Sequence, residues 1–242
     1  MTRPLYAIGD IHGQHGMLED ALARIEADGG PDAPVVFLGD YVDRGPDSRA
    51  VIDTLIKGQS QGRNWTCLKG NHDRLFQWFM EDTPRHDPHL LVGFHWFHDR
   101  IGGTETLASY GITFDDQTRL AALHEEAKET IPPAHVAFLN SLPVLHEANE
   151  LLFVHAGIRP GIAIKDQTEE DLVWIRQEFH SHKDPHPKLV VHGHTPVNEA
   201  THYGNRINLD SGAGYGKPLS TAVFEGADCW LLTEAGRQPL TP

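Results

Sequence analysis

The sequence predicts an α/β protein, because short apolar runs alternate with stretches of helical periodicity. Apolar runs at residues 5–8, 35–38 and 65–68 are separated by segments in which apolar residues recur every three or four positions. Strand–helix–strand crossovers of about 30 residues favour a parallel sheet that is buried on both faces. Burial on both faces also explains why these runs are continuous rather than alternating.

The two crossover segments each predict one helix. In the first, Leu18, Leu22 and Ile25 form a single apolar stripe. The second begins near Asp47 or Ser48, either of which is a suitable N-cap, and continues with apolar residues at helical spacing. The first 70 residues therefore predict three strands joined by two helices.

The segment at about residues 76–142, called here the insertion segment, has a different character. It is rich in aromatic residues and histidine, is interrupted at 102–103 (Gly-Gly) and 132–133 (Pro-Pro), and shows no strong strand pattern. We interpret it as a helical insertion.

Strand patterns return after the insertion segment, at residues 151–154, 189–191 and 222–224. These strands are expected to form a second sheet. Between them, a helix is predicted at about residues 168–180, where Thr-Glu-Glu-Asp resembles a capping box at its start.

Length and composition favour one domain over residues 1–242. The chain has 242 residues, of which 39% are hydrophobic and 22% are charged, so it can fill one core and is neither collagen-like, disordered nor coiled-coil in composition. No repeat or flexible linker divides it.

Charge and targeting signals restrict the partners and the location. With 20 Lys and Arg against 34 Asp and Glu, the net charge of −14 repels phosphate backbones, so no nucleic-acid partner is expected. Neither a signal peptide nor a membrane-length apolar run is present, and Cys67 and Cys229 lie in apolar runs that predict burial rather than a disulfide. We therefore expect a cytoplasmic protein without a membrane partner.

Short segments with polar side chains that can bind a metal, each containing glycine, follow five of the predicted strands. Because the carboxyl ends of strands define the ligand crevice of an α/β sheet, these segments are expected to converge. The segments are 9–13 (Gly-Asp-Ile-His-Gly), 39–45 (Gly-Asp-Tyr-Val-Asp-Arg-Gly), 70–73 (Gly-Asn-His-Asp), 155–157 (His-Ala-Gly) and 192–194 (His-Gly-His).

These segments supply about six metal-ligating side chains, which are too many for one tetrahedral ion and suit two ions that share a carboxylate. Oxygen and imidazole ligands without thiolate indicate two divalent ions, with Mn²⁺ preferred and Fe or Zn²⁺ as alternatives. The candidate ligands are Asp10, His12, Asp40, Asn71, His155 and His194.

A pair of ions about 3.5–4 Å apart can acidify a bridging water and clamp a phosphoryl group during in-line displacement. The remaining phosphoryl charge requires guanidinium donors, for which Arg44 and Arg176 are the candidates. His72 is placed to act as a general acid, and Asp43 to hold its tautomer.

The ordered motifs resemble the phosphoprotein phosphatase family of calcineurin-like metallophosphoesterases. The resemblance extends from residue 5 to about residue 220 and is strongest to the small bacterial and bacteriophage lambda serine/threonine protein phosphatases. It implies two packed mixed β-sheets flanked by helices, with a dimetal centre of manganese or iron and a second divalent ion at the strand ends.

The resemblance also implies a role for each matching position. The departures are Asp73, where eukaryotic protein phosphatases usually have Glu, and a His-Ala-Gly motif in place of His-Gly-Gly. The implied roles are Asp10 and His12 as ligands of one metal, Asp40 as the bridge, Asn71, His155 and His194 as ligands of the other, His72 as proton donor paired with Asp43, Arg44 and Arg176 as phosphate clamps, and Tyr215 near the site.

The predicted activity is hydrolysis of phosphoserine or phosphothreonine in a protein or peptide by direct attack of a metal-bridging hydroxide. The alternative is a symmetrical diadenosine tetraphosphate hydrolase, which shares the Gly-Asn-His-Asp form. The Asp43-Arg44 pair and the Gly-His-Thr-Pro sequence at 193–196 favour the protein phosphatase. A non-catalytic binding module of the same fold would lack ligands, and none is missing.

Overall fold

The computed structural model describes residues 3–242, in which strands and helices alternate as far as the third helix and then follow in runs of helices and of strands. The strands are β1 Leu5–Ile8, β2 Val35–Phe37, β3 Trp65–Cys67, β4 Leu145–Ala148, β5 Leu151–Val154, β6 Leu189–His192, β7 Thr201–His202, β8 Arg206–Asn208, β9 Thr221–Glu225, β10 Asp228–Thr233 and β11 Gly236–Pro239. The helices are α1 His15–Gly29, α2 Ser48–Ser60, α3 Asn71–Met80, α4 Gly103–Ser109, α5 Leu120–Thr130, α6 Pro133–Asn140, α7 Glu169–Trp174 and α8 Gln177–Ser181.

The first sheet contains six strands in the order β11-β10-β9-β1-β2-β3. Strands β1, β2 and β3 are parallel, as the crossover pattern predicts. Strand β9 pairs antiparallel with β1, so the expectation that the segment around 222–224 belongs to a second sheet was wrong. The hairpin of β9 and β10 extends the first sheet beyond β1 instead, which covers an edge that would otherwise be unpaired.

The second sheet contains five strands in the order β4-β5-β6-β8-β7. Its centre, β5, β6 and β8, is parallel, whereas the edge strands β4 and β7 run antiparallel to their neighbours. The carboxyl ends of the parallel strands of both sheets carry the polar segments singled out by the sequence.

The two sheets pack face to face, with helices on their outer faces. Successive strand residues point to opposite faces, so Ala7 and Phe153 meet between the sheets. Tyr6 of β1 packs toward the helices of the first half, and Leu152 of β5 toward α7 and α8. The fold is therefore the mixed α/β arrangement of two sheets flanked by helices that the sequence predicts.

The insertion segment is helical only in part. Its start falls inside α3, its helices are α4, α5 and α6, and residues 81–102 form irregular turns. The predicted helix at 168–180 is likewise interrupted between Trp174 and Gln177, although the Thr168 hydroxyl does accept the backbone N–H of Asp171 at its start (3.2 Å). That residues 1–242 form a single domain stays a prediction.

Two further predictions concern cysteines and membranes. Cys67 and Cys229 are both buried and unpaired, as expected from their apolar surroundings. Among residues 3–242, no helix combines the length and apolarity needed to cross a bilayer.

Candidate active site

All six predicted metal ligands meet in one crevice at the strand ends, and each is no more than 5% exposed. Three of them, His12, Asp40 and His194, have positive φ angles of 47°, 54° and 68°. Non-glycine residues adopt this region rarely, and it concentrates at functional sites where the surrounding structure enforces it. These backbone conformations are unfavourable in free energy, and the packing of the surrounding fold maintains them.

Two groups of buried side chains share the Asp40 carboxylate. One consists of His12, Asp40 and His72 and the other of Asp10, Asp40 and His155, with the ligand atoms of each within 4.8 Å of one another. A shared carboxylate is the arrangement expected for two neighbouring ions. In the first group His72 stands where the prediction had Asp10.

Backbone carbonyls orient two of the predicted imidazole ligands. Nδ1 of His12 lies 2.9 Å from the carbonyl oxygen of Val42, and Nδ1 of His155 lies 2.9 Å from that of Leu38. When Nδ1 carries the proton for such a contact, Nε2 carries the lone pair, which can accept a hydrogen bond or bind a metal. Both Nε2 atoms lie 3.4 Å from oxygens of Asp40.

Asn71 joins the remaining predicted ligands. Its Oδ1 lies 2.9 Å from Nε2 of His155 and 2.7 Å from Nδ1 of His194. It begins α3 directly after β3, so one short turn brings the amide oxygen to the edge of both sheets.

The Asp10 carboxylate provides a test of whether a cation fits. Its Oδ2 accepts the backbone N–H of His194 (3.0 Å), whereas its Oδ1 is buried and has no hydrogen-bond partner. A Cβ at position 193 would lie 1.9 Å from that oxygen, so glycine is required there. An unpartnered buried carboxylate oxygen is costly unless a cation satisfies it, so the residues present fit a metal.

The electrostatics agree with that fit. Burial, then the charges of Asp210 and Asp40, raise the pKa of Asp10 well above its usual range. Burial raises the pKa of Asp40 to about 7 and lowers the pKa of His155 to about 4. The imidazole is therefore neutral with an available lone pair, and the crowded carboxylates repel one another, which a divalent cation would relieve.

Both predicted clamps face the ligand cluster. Arg44 donates from Nη1 to Nε2 of His12 (2.6 Å) and from Nη2 to Nε2 of His72 (2.9 Å), and its guanidinium lies 4.7 Å from the ring centre of Tyr215. Arg176 donates from Nε to Nε2 of His194 (2.9 Å). The two guanidinium groups thus approach the cluster from two sides, as clamps on a phosphoryl group would.

His72 and Asp43 form the predicted pair. Nδ1 of His72 lies 2.6 Å from Oδ2 of Asp43, and both side chains are buried. Because Nδ1 of His72 contacts Asp43, its Nε2 faces the guanidinium of Arg44, and His72 and Arg44 both line the crevice.

Four residues at the site escaped the prediction. Asp73 accepts the backbone N–H groups of Asp40 (2.8 Å) and Tyr41 (2.9 Å), and the Gly-Asn-His-Asp motif already contained it. The others are Asp210, which follows β8 as a polar strand end and had the same signal as the predicted ligands, and Trp96 and Thr106, which had none.

A cleft of about 350 Å³ opens beside the cluster. Its catalytic side is formed by predicted site residues, and the insertion segment forms the opposite wall through its irregular part, residues 89–101. The lining includes three arginines, Arg44, Arg100 and Arg176, and three aromatic side chains, Phe94, Trp174 and Tyr215.

The chain belongs to the calcineurin-like phosphoesterase family, whose pattern it matches over residues 3–215. Together with the ligand cluster, this makes it a phosphoester hydrolase that depends on divalent metals.

A curated relative and two solved structures are similar over most of the chain. The bis(5'-nucleosyl)-tetraphosphatase PrpE [asymmetrical] of Anoxybacillus flavithermus is 25% identical and covers 90% of this chain and 89% of its own. A solved structure provisionally described as a diadenosine tetraphosphatase has a TM-score of 0.66 at 24% identity, covering 100% of this chain and 95% of its own. The cold-active protein-tyrosine phosphatase of a psychrophilic Shewanella has a TM-score of 0.67 at 16% identity, covering 100% and 81%.

Proposed function

We propose that this chain hydrolyses dinucleoside polyphosphates, with diadenosine tetraphosphate as the representative substrate. The observation that carries the proposal is the cleft beside the metal ligands, in which three arginines and three aromatic side chains share about 350 Å³. The name of the Anoxybacillus relative supports the same substrate class. The sequence motifs favour a protein phosphatase, and their alternative is a symmetrical diadenosine tetraphosphate hydrolase; the proposal takes the substrate class of that alternative.

The third arginine distinguishes the two substrate classes. A single phosphoryl group between two ions is served by Arg44 and Arg176, which both contact the ligand cluster. Arg100 lies across the cleft on the insertion segment, where a phosphoserine would present no further phosphate. A polyphosphate chain places additional anionic groups along the cleft, and guanidinium groups bind phosphate oxygens strongly.

The aromatic side chains suit the nucleoside ends. Tyr215 is 60% exposed, and Trp174 lies stacked on His89 with ring centres 5.3 Å apart. Flat exposed rings are the surfaces on which nucleobases stack.

The proposed roles divide between binding and proton transfer. In the division that the family resemblance implies, Asp10, His12 and Asp40 would hold one ion, and Asp40 with Asn71, His155 and His194 the other. The structure supports the shared role of Asp40, which belongs to both groups of clustered ligand atoms, and the contacts of Asn71 with His155 and His194. When bound, two divalent ions supply Lewis acidity to the phosphoryl group and lower the pKa of water.

Arg44 and Arg176 would orient the phosphoryl oxygens. His72 would act as an imidazolium that keeps its Nδ1 proton on Asp43 and transfers its Nε2 proton to the leaving oxygen, with the Arg44 guanidinium moved from Nε2 to the phosphoryl group.

Phosphoserine and phosphothreonine proteins are the second candidate, and the His72–Asp43 pair favours them. A serine alkoxide is a strongly basic leaving group that requires a proton donor, whereas the phosphate released from an anhydride is a weaker base. A buried, well-oriented general acid is therefore more valuable to a phosphomonoesterase.

The deciding experiment compares kcat/KM for diadenosine tetraphosphate and for a phosphothreonine peptide, both with saturating Mn²⁺, because this ratio reports transition-state discrimination. We expect the dinucleotide to be preferred by more than about tenfold. Anion-exchange chromatography of the products should show ATP and AMP, in line with the asymmetrical name of the relative.

Each other result has a definite meaning. A preference for the peptide would overturn the proposed substrate and restore the protein phosphatase. Two molecules of ADP would retain the dinucleotide substrate and indicate symmetrical cleavage. An Asp10→Asn variant serves as the blank, since it removes charge from a proposed ligand without changing side-chain size.

A further inference from the structure

Trp96 and Thr106, both in the insertion segment, contact the buried Asp43 carboxylate. Nε1 of Trp96 lies 3.0 Å from each of its oxygens, and the Thr106 hydroxyl donates to Oδ1 (2.7 Å). The same hydroxyl oxygen accepts the backbone N–H of Asp43 (2.8 Å). The carboxylate therefore has two donors from the insertion segment besides His72, and none of these groups is more than 5% exposed.

The backbone around Asp43 also depends on the insertion segment. Asp43 and Arg44 have φ angles of 73° and 68°, a region that costs a non-glycine residue free energy. The backbone N–H of Arg44 donates to the carbonyl of Gly102 (3.2 Å). A Cβ at position 103 would lie 2.7 Å from the Trp96 ring, so glycine there lets the indole approach. Contacts from residues 96–106 therefore stabilise the strained backbone of Asp43 and Arg44.

The direction of these contacts matters for His72. Because Trp96 and Thr106 fix the plane of the carboxylate, its Oδ2 faces Nδ1 of His72 at 2.6 Å. A histidine whose Nδ1 proton is held in this way presents Nε2 to the crevice. Without the two donors, the Asp43 carboxylate would be free to rotate and the imidazole would lose its orientation.

We propose that Trp96 and Thr106 are positioning residues that hold Asp43 so that His72 is oriented to protonate the leaving group. Neither residue lines the cleft beside the metal ligands, and both contact the Asp43 carboxylate, through which they would act. This inference rests on the role of His72 as proton donor that is proposed above. It assigns to the insertion segment a part in the chemistry in addition to its part in forming the cleft wall.

The test uses variants that remove one donor each. Trp96→Phe removes the indole N–H and keeps an aromatic ring, and Thr106→Val removes the hydroxyl at nearly constant shape. Thr106→Ser restores the hydroxyl and should restore function. Phe79→Leu is the matched packing control, since Phe79 lies against Trp96 with ring centres 4.8 Å apart and makes no polar contact with Asp43.

The first readout is proton NMR of the metal-loaded protein. A proton on Nδ1 in a contact of 2.6 Å to a carboxylate gives a far-downfield resonance, assigned by its loss in His72→Asn. We expect it to persist in Phe79→Leu and Thr106→Ser and to shift or disappear in Trp96→Phe and Thr106→Val. An unchanged resonance in both of the latter would overturn the inference.

The second readout is leaving-group dependence, measured with phenyl phosphate and p-nitrophenyl phosphate. Only the phenolate of the first substrate is basic enough to need substantial protonation. We expect Trp96→Phe to lower kcat/KM for phenyl phosphate by about tenfold more than for p-nitrophenyl phosphate. His72→Asn should show a difference between the two substrates in the same direction and larger in size. Equal losses on both substrates in Trp96→Phe alone would overturn the inference, whereas equal losses in His72→Asn would overturn the proposed proton donor itself.

Discussion

The strand ends and the insertion segment meet across one cleft but differ in how their residues are specified. At the strand ends, each functional side chain follows a short buried strand, so its position is set within a few residues of chain. In the insertion segment, Trp96 reaches Asp43 from 53 residues away, out of an irregular stretch between α3 and α4. The strand ends supply the proposed chemistry, and the insertion segment supplies the cleft wall, a third arginine and the support of Asp43.

This difference shows that one crevice combines two kinds of constraint. The strand-end residues are constrained by ligand geometry, which permits few substitutions. The wall residues are constrained by packing and by the substrate, which permit many solutions. Substitutions at the strand ends should therefore lower activity on every substrate. Substitutions in the cleft wall should lower activity on some substrates only, or should lower stability.

The largest expected effect is the loss of a proposed metal ligand. Asp10→Ala or His155→Ala should abolish Mn²⁺-dependent hydrolysis of all substrates and lower bound metal measured by atomic emission, because removing a ligand exceeds the roughly 10–100-fold effect of removing an outer partner. Circular dichroism should show an intact fold. Asp228→Asn, at an exposed position in β10, is the control, and undiminished activity in either ligand variant would contradict the dimetal assignment.

Intermediate losses of activity are expected from replacing Arg44 or Arg100, and the two losses should differ in which substrates they affect. Arg44→Ala should reduce kcat by about 10²–10³ on both diadenosine tetraphosphate and p-nitrophenyl phosphate, since it removes a donor from the transferred phosphoryl group. Arg100→Ala should reduce kcat/KM about tenfold on the dinucleotide alone, because only that substrate extends across the cleft. If Arg100→Ala were equally harmful to the small substrate, the comparison between the two regions would fail.

The smallest expected effect on hydrolysis of p-nitrophenyl phosphate, which does not need the cleft wall, comes from replacing Asp87, and the same change should clearly affect stability. This fully buried carboxylate of the insertion segment accepts from Arg74 (2.7 Å), Trp174 (3.1 Å) and the backbone N–H of His89 (3.0 Å). Asp87→Ala leaves the buried Arg74 charge unpaired, so the free energy of unfolding should fall by about 3 kcal/mol in urea titrations. Asp82→Ala, at a fully exposed side chain paired with Lys128, is the control and should leave the free energy of unfolding almost unchanged.

The pH dependence of the Asp87 effect has a definite sign. Burial alone would raise the pKa of Asp87, but the N–H of His89 and the Arg74 charge outweigh it and lower the pKa below its ordinary 3.8. A depressed folded-state pKa stabilises the protein above the unfolded-state pKa, and the contribution disappears as the pH falls through the folded-state value. The difference between wild type and Asp87→Ala should accordingly be constant near neutral pH and shrink below about pH 4. A difference that grows with acidity would contradict the ion pair.

The sequence predicted most of the catalytic crevice. Every candidate ligand, Arg44 and the His72–Asp43 pair come together because the strands bring their carboxyl ends to one edge and each of these motifs follows a strand. Asp210 follows β8 in the same way and was missed only because that strand, three residues long, was not recognised. Arg176 joins them from the break between α7 and α8. The roles of these residues stay predictions until the variants are measured.

Other features depended on the tertiary structure. Strand β9 joins the first sheet rather than the second, since its apolar run fits either sheet and pairing with β1 is decided by the whole assembly. Trp96 and Arg100 lie in turns without periodicity, so no local pattern indicates what they contact. The sequence by itself thus determined the α/β class and the chemistry at the strand ends, where function follows local chain geometry. Only the tertiary structure decided the sheet order, the shape of the cleft and the support of Asp43, because these arise from packing between residues far apart in the chain.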